Sequence, residues 1–113
     1  MPNAATSSEE SAARNKTVRI RRALILKALA DPRRFRLLEL VAAADSPLSC
    51  AVAREALTIS PATLSHHIKE LEAAGLVRAE RQGKFVFLSL RPEVWSAFQD
   101  SLAALGKSRA PRS

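Results

Sequence analysis

Cysteine occurs once in the 113 residues, at Cys50. One thiol forms no internal disulfide and cannot by itself make a structural zinc site, so its chemistry is that of a free thiol or is shared between chains. No apolar run is long enough to span a bilayer, and the polar, acidic stretch Met1 to Ser11 resembles neither a signal nor a transit peptide. A cytoplasmic protein without membrane contact is expected. No glycine-rich phosphate loop and no paired acid and base are present. Cys50 with His66 or His67 is the one pair resembling a nucleophile and its base, and little chain remains to enclose a substrate. These absences argue against an enzyme.

Positive charge, in contrast, is abundant. The net charge is +7, and residues 14 to 36 alone carry +8 through Arg14, Lys16, Arg19, Arg21, Arg22, Lys27, Arg33, Arg34 and Arg36 against Asp31. Such a window attracts an anionic partner, although a solvated helical face accounts for some of these charges equally well. The length supports one domain, small enough that association with a second copy would help to bury a core.

The most informative stretch runs from Ile59 to Val77. Ser60 suits an N-cap, Pro61 the first helical position and Gly75 the left-handed residue just past the end. At 100° per residue, Leu64, Ile68 and Leu71 form one stripe. Ala62, His66, Lys69 and Ala73 lie nearly opposite, flanked by Thr63 and Ser65. The presented face is small, hydroxylated and cationic, which lets a helix approach a DNA groove and offer donors and acceptors to bases and phosphates. His67 lies nearer the packed stripe and reads as half-buried and structural. Taken alone, the pattern also fits an ordinary amphipathic surface helix.

Its neighbours favour the nucleic-acid reading. Ser49 to Leu57 reads as a short helix joined through Thr58-Ile59, a helix-turn-helix whose turn lacks glycine. Leu76 to Arg81, then Gln82-Gly83, then Lys84 to Leu90 reads as a two-stranded hairpin with a basic tip. Upstream, Ser7-Ser8-Glu9-Glu10 fits a capping box opening a helix that ends near Ala30. Asp31-Pro32 starts a second helix, burying Phe35, Leu37, Leu38, Leu40 and Val41 until about Ala44, and Asp45-Ser46-Pro47 breaks the chain. Arg91-Pro92-Glu93 opens a last helix with Val94, Trp95, Phe98, Leu102 and Leu105 along one side, ending at Gly106. The expected fold is mainly α with a small β-hairpin: a dimeric winged helix-turn-helix of about five helices and a two-stranded wing. Residues 9–106 form its domain, between a mobile leader (1–8) and a disordered basic tail (107–113).

From Ala28-Leu29-Ala30-Asp31-Pro32-Arg33 through Ser65-His66-His67 and Ala74-Gly75-Leu76-Val77 to Gly83-Lys84-Phe85, the chain resembles the ArsR/SmtB family of bacterial winged-helix repressors over about residues 20 to 105. The resemblance implies a homodimer held by the first and last helices, with Ile20, Leu24, Trp95, Phe98 and Leu102 as candidate contacts. It also implies a partly palindromic operator in double-stranded DNA near a promoter, with transcription repressed. The family's DNA contacts fall on Ser60, Thr63, Ser65, His66 and Lys69 of the reading helix and near Arg81, Gln82 and Lys84 of the wing. No arginine stands on the reading face, so bidentate guanine recognition is missing there and indirect readout or Lys69 has to contribute.

The family's thiolate metal site uses a Cys-x-Cys pair, whereas Ser49-Cys50-Ala51 places its cysteine on the intervening position. The last helix offers Glu93, Gln99 and Asp100 but no histidine. Neither known metal arrangement is present, no metal or other cofactor is expected, and no inducer is identified. Alternatives left open are a sensor repressor using the Cys50 thiol, an atypical metal site joining Glu9 and Glu10 to a histidine across a dimer, and a winged helix used for protein contact.

Overall fold

The computed structural model describes residue 19 and residues 21–107. Helix α1 occupies residues 21–29, with Ile25 and Ala28, three apart on one face, each only 1 % exposed. The capping box at Ser7 to Glu10, the leader and Ile20 lie outside the described residues. Helix α2 (Pro32–Ala43) opens as expected: Asp31 is extended, and its carboxylate accepts from the amides of Arg33 at 2.8 Å and Arg34 at 3.4 Å. Those two bonds, chiefly the one from Arg33, hold the Asp31 carboxyl below its usual pKa.

Leu37, Leu38 and Val41 are the buried residues of α2. Phe35, expected beside them, is 42 % exposed. At 100° per residue its Cα lies roughly 110° from the middle of the Leu37–Leu38–Val41 arc, outside the face that α2 buries.

The Pro47 break does not lead directly into a helix. Leu48–Ser49 forms a short strand, β1, before helix α3 (Cys50–Leu57). It pairs antiparallel with β3 (Phe85–Leu90), Leu48 opposite Leu88 and Ser49 opposite Phe87. On its other side β3 pairs with β2 (Val77–Gln82), giving a three-stranded sheet of order β1-β3-β2 in place of the expected two strands. The hairpin also turns one residue later than expected. Gln82 stays in the ladder opposite Phe85, and Gly83-Lys84 make the turn. Gly83 has φ +63° while Lys84 is not in the positive-φ region, which fits a two-residue turn of the II′ kind with glycine first.

Helix α4 (Pro61–Ala73) and helix α5 (Pro92–Lys107) complete the described elements. Among the described residues Leu37, Leu71, Leu76, Leu88 and Ile25 are the largest fully buried side chains, so α1, α2, α4 and the sheet share one core. The first part of α5 joins it through Val94 and Phe98. Farther along, Leu102 is 40 % exposed. Lys107, assigned to the tail, is helical, and residues 108–113 lie outside the described residues. Among the described residues no helix is long and apolar enough to cross a membrane.

Candidate nucleic-acid interface

Three local devices set the angle of α4. The Ser60 hydroxyl accepts from the Thr63 amide at 3.2 Å and lies 2.9 Å from the Thr63 hydroxyl, while Pro61 occupies the first turn without needing an acceptor. At the far end the Gly75 amide donates to the Glu72 carbonyl at 2.9 Å and the Leu76 amide to the Leu71 carbonyl at 3.0 Å. Gly75 has φ +78°, as this paired closure requires, and both Leu71 and Leu76 are fully buried behind it. Between these ends Leu64, His67, Ile68 and Leu71 face the core.

The opposite side of α4 is open. Ala62, Ser65, His66, Lys69 and Ala73 are exposed and Thr63 is half-buried. Ser60 is exposed as well, but its hydroxyl already serves as the cap. His67 goes further inward than expected: it is 4 % exposed, and neither ring nitrogen has a hydrogen-bond partner among the described residues. Burial is the main influence that lowers its pKa, opposed by the nearby Asp31 carboxylate. The two adjacent histidines therefore separate into one exposed and one interior ring.

Arg81, Gln82 and Lys84 are exposed at the hairpin end. The structure brings the two groups of site residues together, because Ser65 and Lys69 of α4 and Lys84 of the wing border one cleft. That cleft also contains Arg54, which the sequence reading passed over. Its signal was available only as a basic residue in the last turn of α3; the approach of α3 to β3 brings it to the site.

Part of the basic window serves the fold. Arg21 Nη1 donates to the Ala74 carbonyl at 3.4 Å, at the end of α4, and Arg34 Nε donates to the Ala28 carbonyl at 2.8 Å, at the end of α1. Arg36 lies 3.8 Å from Glu39 in an exposed pair of small energetic weight. Arg14 and Lys16 are outside the described residues.

Cys50 is half-buried at the first position of α3. Burial, and secondarily the Glu72 carboxylate, push its thiol pKa up, opposite to the sensitisation a helix N-terminus would provide. Among the described residues no three His, Cys, Asp or Glu side chains gather in a metal-sized group, and Glu9 and Glu10 lie outside that set. Of the candidate dimer contacts, Leu24 and Leu102 are exposed and Trp95 is half-buried. Phe98 is 7 % exposed, with its ring centroid 5.6 Å from that of Trp95, and packs in the core of its own chain.

Residues 29–80 match the Helix-turn-helix domain family. The transcriptional repressor SdpR of Bacillus subtilis (strain 168) is 32 % identical over 78 residues, which cover 69 % of this chain and 81 % of SdpR. The ArsR family transcriptional regulator RHA00566 superposes with a TM-score of 0.73 at 24 % identity, covering 81 % of this chain and 99 % of that one. The homodimeric winged helix-turn-helix DNA-binding domain Mb0332 from Mycobacterium bovis, described as a possible ArsR-family regulator, superposes with a TM-score of 0.65 at 22 % identity, covering 88 % and 94 %. These relatives are regulators, not enzymes, and with its capped α4 and basic wing the chain belongs to the ArsR family of winged helix-turn-helix, DNA-binding transcriptional regulators.

Proposed function

We propose that the protein is a homodimeric, sequence-specific repressor that binds a partly palindromic operator near a promoter in the cytoplasm. The observation that carries this reading is that the exposed Ser65 and Lys69 of α4 and the exposed Lys84 of the wing border one cleft. Ser65 and His66 offer short polar groups to base edges, and Thr63 adds a methyl for thymine. Lys69, Arg81 and Lys84 supply charge to phosphates, and the wing tip approaches the neighbouring minor groove. Ser60 serves the interface indirectly, by fixing the start of α4.

Two copies fit the apolar side chains that one chain leaves outside. Leu24 and Leu26 on α1 are 41 % and 51 % exposed, and Leu102 on α5 is 40 % exposed. Pairing these helices across a two-fold axis would bury them and present two reading helices to two half-sites. Mb0332 is homodimeric, and SdpR is a repressor.

Electrophoretic mobility shift on the promoter of the protein's own operon, with salt varied, tests the proposal. Tight binding to the native duplex, much weaker binding to a scrambled one and a steep loss of affinity with salt are expected. Ser65→Ala should flatten the preference between duplexes, while Lys84→Ala should weaken both about equally. Equal affinity of the unaltered protein for native and scrambled DNA would overturn operator reading.

A further inference from the structure

The cleft shared by α3, α4 and β3 has a volume of about 370 Å³, inside the ~300–1,000 Å³ range of small-molecule sites. Its inner wall is apolar. Leu64 and Ile68 come from α4, and Phe85 and Val86 from the wing. Phe85 is 54 % exposed, an aromatic ring left open beside the cleft. Around this wall stand three cations, Arg54, Lys69 and Lys84, against a single carboxylate, Glu72. The Lys84 ammonium lies 5.6 Å from the centroid of the Phe85 ring, so charge and apolar surface meet at one point.

Contact with a DNA backbone accounts for the cations but gains nothing from an apolar wall behind them. Packing accounts for Leu64 and Ile68 but not for the open Phe85 in a cleft that three cations line. An amphipathic anion uses both: its hydrophobic body displaces water from the wall while its head meets the ammonium and guanidinium groups. We propose that this cleft is an effector site for a small organic anion with an aromatic or branched apolar body, and that its occupation competes with DNA. Competition follows because Ser65, Lys69 and Lys84 border the cleft, and that part rests on the operator-reading proposal. Binding of the anion does not. Glu72 limits affinity by repelling the head group, and Ala51, an exposed residue lining the cleft near the start of α3, is a place where a second carboxylate would add to that repulsion.

The test uses 1-naphthoate and the full chain, with backbone amide shifts followed by NMR during titration. Saturable shifts should concentrate around Cys50, Arg54, Ile68 and Val86, and the neutral analogue 1-naphthalenemethanol should bind several-fold more weakly. Glu72→Gln should tighten naphthoate several-fold. Ala51→Glu, whose new carboxylate sits in the first turn of α3 where it favours the helix, should keep the fold and lose at least about tenfold in affinity. Naphthoate should also weaken operator binding by the unaltered chain, and do so less for Ala51→Glu. Absence of saturable shifts, shifts centred on α1 and α5, or affinities indifferent to both substitutions would overturn the site. Shifts at the cleft with undiminished operator binding would overturn the competition. Loss of sequence-specific binding before naphthoate is added would count against operator reading alone, because the amide shifts are measured without DNA.

Discussion

The two helices of the helix-turn-helix begin and end alike but are held differently. Both are capped by serine: Ser49 Oγ accepts from the Val52 amide at 3.1 Å and Ser60 Oγ from the Thr63 amide at 3.2 Å. Both close with the same pair of backbone bonds. For α3 the Ile59 amide reaches the Arg54 carbonyl at 3.4 Å and the Thr58 amide reaches Glu55 at 3.3 Å; for α4 the equivalent distances are 3.0 and 2.9 Å. Between those ends α3 buries only Ala53, whereas α4 buries four residues. Helix α3 is thus defined mainly by its ends, and α4 by its inner stripe. A helix anchored along its length can present an entire polar face without shifting.

The sharpest way to break this contrast is to remove the stripe. Leu71 is 0 % exposed, so Leu71→Ala should cost about 2–5 kcal/mol through lost burial and the cavity left behind. Val52 on α3 is 54 % exposed, and Val52→Ala should stay within about 0.5 kcal/mol of the unaltered protein. Urea unfolding of both variants checks the pair; equal losses would show that α3 is anchored as deeply as α4. A smaller effect is expected at the end of α4. Gly75→Val forces a β-branched residue to φ +78° and places its Cβ against the Arg21 guanidinium, for a loss of about 1–3 kcal/mol. The arginine can swing aside, so the backbone is the main cause, and Arg21→Ala in the same background should restore little.

His67 gives the stripe of α4 a pH dependence on the acid side of neutrality. Its folded-state pKa lies below the ordinary value, chiefly because the ring is buried. On acidification the unfolded chain therefore takes up this proton first. The contribution of His67 to stability is complete above an unfolded pKa of about 6.5 and declines as pH falls toward the lower folded value. His67→Leu should remove this part of the decline, read as a flatter profile of urea midpoint against pH below neutrality. An unchanged profile would mean that the ring keeps its proton affinity on folding.

How much of this was legible in the sequence depends on whether the signal was local. Ser60-Pro61, Asp31-Pro32 and Gly75 act within one turn of the backbone, and the structure uses each as expected. The stripe of α4 follows from a 3.6-residue period, which also places His67 near it. β1 was not legible: two residues show no alternation, and their strand character comes from Leu88 and Phe87, distant in the chain. Phe35 was misread because a leucine-rich helix offers more apolar positions than it buries. The cleft needs α3, α4 and β3 at once, so no single segment carries its pattern. The shift of the hairpin turn arose because glycine suits either central position of a two-residue turn, and the pairing of Gln82 with Phe85 selects the first.

The smallest effect concerns the end of α3, where the two helices differ by one residue type. Thr58 sits at φ 54°, ψ 50°, and among the described residues it is the one non-glycine residue with positive φ. For an L-residue that conformation costs roughly 1–2 kcal/mol, and a β-branched side chain has no local hydrogen-bonding reason to favour it. The longer closing bonds of α3 agree with a turn that packing holds in place. Thr58→Gly should relieve the strain, but the added freedom of glycine in the unfolded chain takes back about 0.5–1 kcal/mol. The net expectation is a gain of up to about 1 kcal/mol, visible as a modest rise in Tm. Thr58→Asn separates the two contributions, since asparagine tolerates the left-handed region with less unfolded-state freedom than glycine. If both variants lose stability, the threonine side chain holds a contact that outweighs its strain, and the turn joining the two helices is fixed by its side chain after all.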